Sequence, residues 1–234
     1  MESLLEFLYT LKDYLNPKFI IDTMLDKFGI FVYFGLFFII FAETGLAVGF
    51  FLPGDSLLVV AGLFAATGKL NIFVLLISLF IAGILGDLVG YLTGRRMGKT
   101  IFSRPKSKIF NPSHLLKAQK FYEKYGGKTI ILARFVPIVR TFAPIVAGAA
   151  EMPYRTFAFF NILGSFLWIF SMLLAGYFLG GLVESVFGIK LDEHIDKVVI
   201  VVVLLSILPM IFEYWKVRRE RKAGEAELIS EKEM

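Results

Sequence analysis

Five ionisable residues sit inside otherwise apolar stretches: Glu43, Asp55, Asp87, Arg134 and Arg140. A charge at the centre of a bilayer costs about 2.5–3.5 kcal/mol on insertion scales, so such residues need a partner or a use. Glu43 and Asp55 frame Pro53-Gly54, whereas Arg134 and Arg140 flank Pro137, with Pro144 four residues further on. A guanidinium is a planar fork of donors that takes a phosphate or a carboxylate at two points. A carboxylate kept from water can carry a proton. Two acids and two arginines at helix breaks are therefore suited to binding a phosphate, carrying a proton, or both. The plainer reading is structural: the charges pair with one another or reach back to the interface. Asp87, within Gly86-Asp87-Leu88-Val89-Gly90-Tyr91, is the one best suited to holding a helix crossing.

Other chemistries find little footing. Cys is absent, and the two His, His114 and His194, fall outside the apolar stretches with no carboxylates at ligand spacing. A membrane enzyme such as a lipid phosphatase is thus weakly supported, and no metal or cofactor is implied.

The elements that position these residues follow from composition. Hydrophobic residues make up 57% of the 234 and charged residues 19%, with 26 Phe and a mean hydropathy of +0.72. Soluble domains average roughly 45–50% and 25% on a similar count. A soluble domain of this length has too little interior for so many apolar side chains. Disorder, a fibrous repeat and most soluble folds are excluded, and lipid is the natural solvent. The net charge of +5 and pI of 9.3 would suggest nucleic acid in a soluble chain. Here topology accounts for the basic residues, and no nucleic-acid partner is expected.

A crossing helix needs about 20 mostly apolar residues. Four segments qualify, about 28–43, 72–94, 156–181 and 194–215. Two more, 44–67 and 129–151, are long enough but carry Pro53-Gly54 or the pair Pro137 and Pro144 near their middles. An interior Pro costs a helix about 3 kcal/mol and frees a carbonyl. At membrane depth such a break needs protein or a water-filled cavity around it. Each of these segments is either a re-entrant hairpin or a kinked crossing.

Charge asymmetry arbitrates. Ten Lys and Arg lie between residues 95 and 128, opposed by Glu123 alone, and five more lie between 216 and 222. The positive-inside rule places both regions in the cytoplasm, and the loops at 67–71 and 183–197 outside. Tracing back, 129–151 starts and ends on the cytoplasmic side, and 44–67 starts and ends outside. The N-terminus is then cytoplasmic. The expected fold is an all-α polytopic membrane protein, with about four full transmembrane helices and two opposed re-entrant hairpins in an inverted-repeat arrangement. Such broken helices place a transport site near the midplane.

Residues 1–27 begin with Glu2 and Glu6 and lack a signal peptide's basic start, so they read as an amphipathic segment at the membrane surface. Residues 112–128 carry an apolar stripe (Leu115, Ala118, Tyr122, Tyr125) beside a basic one (Lys117, Lys120, Lys124, Lys128). That suits an amphipathic helix on an anionic leaflet, or equally a solvated helix packed on the domain. The membrane domain is expected over 28–215, and a charged cytoplasmic tail over 216–234.

Several motifs together resemble the DedA family of bacterial membrane proteins, related to the eukaryotic VTT-domain proteins. They are Glu43-Thr44-Gly45, Phe51-Leu52-Pro53-Gly54-Asp55-Ser56-Leu57, Gly86-Asp87, Gly90-Tyr91 and Gly94-Arg95-Arg96-Met97-Gly98. The similarity is strongest from Ala133 to Pro144 and closes with Phe157, Asn161, Gly164 and Trp168. It spans about residues 30–185; Thr44 and Ser165 depart from the commoner Asn and Ala.

The resemblance implies two opposed re-entrant hairpins in a bacterial cytoplasmic membrane, and a role in moving lipids between leaflets. Undecaprenyl phosphate and phospholipids are the implied substrates, and Glu43, Asp55, Arg134 and Arg140 the implied transport residues. Pro53, Gly54, Asp87, Pro137 and Pro144 would support them. A proton- or cation-coupled transporter of a soluble solute is the alternative. Expected partners are anionic or phosphate-bearing lipids, and Ala175-Gly176 and Gly180-Gly181 offer close-packing surfaces within a chain or between copies.

Overall fold

The structure, a computed structural model, describes residues 17–46, 54–101, 120, 122 and 124–187. Pro53, most of the basic segment 95–128, the expected crossing at 194–215, the tail and residues 1–16 lie outside the described residues. Every regular element among the described residues is helical. In chain order they are α1 (Pro17–Phe28), a 3-10 turn (Gly29–Phe31), α2 (Val32–Gly45), α3 (Gly54–Ala66), α4 (Ile72–Ile101), α5 (Lys128–Ala133), α6 (Pro137–Ala149) and α7 (Tyr154–Phe187).

Two of these helices are long and apolar enough to cross a bilayer among the described residues: Ile72–Met97 of α4, 26 residues, and Tyr154–Leu182 of α7, 29 residues. At 1.5 Å per residue each spans about 40 Å, against a hydrocarbon core of about 30 Å. Their outward faces are apolar. On α4, Phe73, Ile77, Ile81, Leu85 and Val89 are exposed at four-residue spacing, and Phe159, Ile162, Phe166 and Phe178 are exposed on α7. The buried set includes Glu43, Asp87, Arg134, Arg140, Asn161 and Ser165. Apolar stripes outside and charges inside reverse the arrangement of a soluble core and match a protein solvated by lipid.

The sequence predicts a crossing at about 28–43 and a Pro53-Gly54 break inside 44–67. α2 runs through Glu43 and Thr44 to Gly45, and α3 begins at Gly54 and continues unbroken to Ala66. Glu43 does not interrupt α2 because its carboxylate is paired, and Glu is a good helix former. α2 ends where Leu46 turns extended (φ −107°, ψ 127°), and residues 47–53 lie outside the described residues. α2 has 14 residues and α3 has 13, each about 20 Å and too short to cross alone.

The interruption between α5 and α6 lies where Pro137 puts it. α5 stops at Ala133, Val136 is extended (φ −114°, ψ 106°), and Pro137 opens α6. The residue before a proline is pushed from helical to extended backbone, and proline suits the first helical position. Pro144 behaves differently from the expected second break, since it lies inside the continuous helix α6.

The two halves share a plan. α3 and α6 each have 13 residues. Each ends in the same turn: Gly68 (φ +77°) and Glu151 (φ +57°) are left-handed, and the next N–H reaches back five residues, Lys69 to Phe64 O and Met152 to Ala147 O. A long helix follows each within five residues. Asn71 caps one of these, its Oδ1 accepting from Phe73 N at 2.9 Å and Val74 N at 3.2 Å. The packing is crossed. α2 and α6 pack on α4, whereas α3 and α5 pack on α7.

Glycines allow these contacts at backbone distance. A Cβ on Gly62 of α3 would meet Leu173 O and Tyr177 N of α7, and one on Gly176 would meet Val59 O. In the other half, a Cβ on Gly94 would meet Ile145 O, and one on Gly148 would meet Tyr91 O. Small residues that let helix backbones touch drive association in lipid, where burial gives little.

Candidate functional site

Two buried arginines define the site. Arg140 stands in the first half of α6. Its Nη2 donates to Glu43 Oε1 in the last turn of α2, and its Nη1 donates to Asp55 Oδ1, in the first turn of α3, at 2.5 Å. One guanidinium thus joins the last turn of α2 to the first turn of α3. Glu43 is 1% exposed and Arg140 4%, but the Asp55 side chain is 30% exposed. Gly54 is needed here because any Cβ would overlap the Glu43 carboxylate.

Arg134 lies at the end of α5, where the interruption before α6 begins. Its Nη2 donates to Asp87 Oδ2 on α4 and to Asn161 Oδ1 on α7 at 2.5 Å. Asn161 in turn donates from Nδ2 to Ile84 O at 3.1 Å, so its amide orientation is fixed by both helices. Gly164 makes room for the arginine, since a Cβ there would sit 3.0 Å from Arg134 Cδ and Nε.

Trp168 joins the two groups. Its Nε1 donates to Asp55 Oδ1 at 2.7 Å. The Cζ atoms of Arg140 and Arg134 lie 4.4 and 5.9 Å from its ring centroid. A cation over an indole face is stabilised by about 2 kcal/mol or more when water is excluded.

All four transport residues inferred from sequence are therefore here. Glu43 and Asp55 both bond Arg140. Arg134 is bonded by Asp87, the residue expected to hold a helix crossing, and by Asn161. Asn161 and Trp168 stood in the sequence as motif positions without a role. Their spacing of seven on α7 is the signal that would have placed them on one helix face. Pro137 marks the interruption, Gly54 accommodates Glu43, and Pro144 removes an N–H that would otherwise bond the Arg140 carbonyl.

Several buried polar atoms have no hydrogen-bond partner among the described residues: Glu43 Oε2, Asp87 Oδ1, Arg140 Nε, and Arg134 Nε and Nη1. Native interiors rarely leave such atoms unused, so donors and acceptors here are available to water or a bound group. No group of His and carboxylates among the described residues is arranged to hold a metal.

A fold of paired broken arms around buried arginine–carboxylate groups, clad in apolar side chains, is that of a membrane protein. The VTT domain family model matches residues 52–178. Protein DedA of Escherichia coli K12 is 45% identical over 225 residues, covering 95% of this chain and 99% of that protein. A membrane protein of Mycobacterium leprae, named as uncharacterized, is 38% identical over 191 residues, 81% of this chain and 83% of its own. Inner membrane protein YqjA of E. coli K12 is 35% identical over 149 residues, 64% of this chain and 68% of its own. No solved structure matches. The chain belongs to the DedA family of membrane proteins.

Proposed function

We propose that this protein carries the phosphate-bearing headgroup of a lipid from one leaflet of the bacterial inner membrane to the other. No bond is made or broken. The observation that carries the reading is the pair of buried guanidiniums held by carboxylates and sharing one tryptophan face. The unpartnered guanidinium nitrogens supply donors for phosphate oxygens.

The charge count suggests how the cycle is driven. Three carboxylates face two guanidiniums, a formal excess of one negative charge when all are ionised. A phosphate can take a guanidinium only if a carboxylate gives way or takes a proton. Asp55 is the partly exposed member of the group, and Glu43 is buried. Proton uptake and headgroup binding are then coupled. The lipid tail stays in the bilayer, so no large channel is needed. Undecaprenyl phosphate and phospholipids are the substrate candidates.

The proposed topology has the basic region 95–128, the tail 216–234 and the N-terminus in the cytoplasm. The segment 44–67 enters and returns from outside and the segment 129–151 from the cytoplasm, as an inverted repeat with its site near the midplane. The crossed packing of arms and the shared terminal turns support that reading.

The excess carboxylate also favours a second reading, a proton- or cation-coupled transporter of a soluble solute. Liposomes with fluorescent lipid in one leaflet separate the two. A phospholipid and a polyprenyl phosphate are tested in parallel on wild type, Arg134→Ala and Arg140→Ala. Transbilayer movement that the variants lose supports lipid transport. No movement of either lipid by folded wild type favours the solute reading, to be tested by saturable uptake.

A further inference from the structure

Trp168 is completely buried, and its two faces of chemistry serve opposite charges. The indole N–H meets the Asp55 carboxylate, and the ring meets the Arg140 guanidinium bonded to that same carboxylate oxygen. Asp55 Oδ1 thus has two donors, one cationic and one neutral. When an anion takes Arg140, the cationic donor is lost and only the indole N–H remains. A carboxylate released without a second donor would swing into the space the anion needs, or follow the arginine and compete for it. The ring, meanwhile, constrains the guanidinium plane whichever acceptor occupies its edge.

The same helix face reaches the other arginine. Asn161, Ser165 and Trp168 follow the i, i+4, i+7 pattern of one face of α7. Asn161 accepts from Arg134 at 2.5 Å, and Ser165 Oγ lies 3.4 Å from Asn161 Oδ1. A shift of α7 that moves Trp168 also moves the acceptor of Arg134.

We propose that Trp168 is a positioning residue: its N–H retains Asp55 while Arg140 is handed to an anionic group, and its ring keeps the guanidinium fork aligned. This rests on the reading of the site as an anion-carrying one, and it predicts a separation of effects. Trp168→Phe keeps a ring but deletes the N–H. Half-saturation for the phosphate-bearing lipid should stay within about twofold, while the maximal rate falls about tenfold, the value of one hydrogen bond to a charged group. Trp168→Leu deletes both, so half-saturation should also rise, by about tenfold or more for a desolvated cation–π contact. A residue that only fills space would weaken both variants through stability, with no such split.

A second measurement is independent of transport. The chain has two Trp, Trp168 and Trp215, so Trp215→Phe leaves Trp168 as the sole indole emitter. In that background, reconstituted in nanodiscs, Asp55→Asn should shift Trp168 emission because the N–H loses its anionic acceptor. Dodecyl phosphate should shift it in the unaltered site but not in Arg140→Ala. Emission indifferent to Asp55→Asn, or wild-type kinetics in Trp168→Phe, would overturn the proposal. If emission responds to Asp55→Asn and to dodecyl phosphate while wild type moves no lipid, the positioning role stands and the lipid substrate falls. If emission responds to Asp55→Asn but not to dodecyl phosphate, the hand-over to an anion is refuted.

Discussion

Replacing Arg140 by Lys keeps the charge and removes the geometry. The guanidinium gives Nη2 to Glu43, Nη1 to Asp55 and its flat face to Trp168. A lysine ammonium is one compact donor centre and cannot reach both carboxylates, one on α2 and one on α3. It should stay with Glu43, the carboxylate shut away from solvent, and lose Asp55, which keeps partial exposure and the Trp168 N–H. One charge-assisted hydrogen bond is worth about 1.5–3 kcal/mol, so the correctly held site becomes about 10- to 150-fold rarer. Arg140→Ala is harsher, because it leaves two carboxylates with no cation between them, a loss of about 3–5 kcal/mol. Thermal unfolding in detergent should therefore rank wild type above Lys and Lys above Ala. Lipid movement in liposomes should already be lost at Lys. Wild-type transport by Arg140→Lys would refute the two-pronged role of this arginine.

Asp87→Ala and Arg134→Ala should each cost about 3–5 kcal/mol of stability, and the double variant less than their sum, with a coupling of about 1–3 kcal/mol in a double-mutant cycle. Strict additivity would mean that the pair does not form. Gly62→Ala and Gly176→Ala should each impair folding, since the new methyl meets the backbone of the partner helix; Gly181→Ala, which has nothing within 4 Å, should be neutral or slightly stabilising by melting. Tyr91→Phe should cost about 1–3 kcal/mol, because it removes the 2.5 Å bond to Met152 O and the acceptor of Arg95 Nη1 while leaving the stack on Phe157. An unchanged melting temperature would show that these bonds contribute nothing net.

Much of this was legible in one dimension, because lipid makes charge conspicuous. Glu43, Asp55, Arg134 and Arg140 stand out against their apolar neighbours, and Pro137 marks an interruption by its own covalent geometry. The long helices α4 and α7 follow from apolar length alone. Pairing was not legible. Arg140 and Glu43 are 97 residues apart, and Arg134 and Asp87 are 47 apart; charge sign alone allows every acid to meet either arginine. A paired Glu does not break a helix, whatever it does to a hydropathy profile, so α2 runs two residues past Glu43. Trp168 was hidden for the opposite reason. Within an apolar run a tryptophan looks like a lipid-facing aromatic, and its N–H becomes visible only when Asp55 is placed beside it. Gly62 and Gly176 likewise mark backbone contact by the absence of a side chain.

The central claim is that a lipid phosphate enters the paired arginine site, and photo-crosslinking tests it most directly. A polyprenyl phosphate carrying a photoreactive group next to the phosphate is added to the reconstituted full chain, and labelled peptides are mapped by mass spectrometry. The expected labels fall on residues 54–56, 137–144 and 161–168, compete with unlabelled lipid, and disappear in Arg140→Ala. Labels confined to the exposed faces around Phe73, Phe159 and Phe178, and unchanged in that variant, would contradict the account.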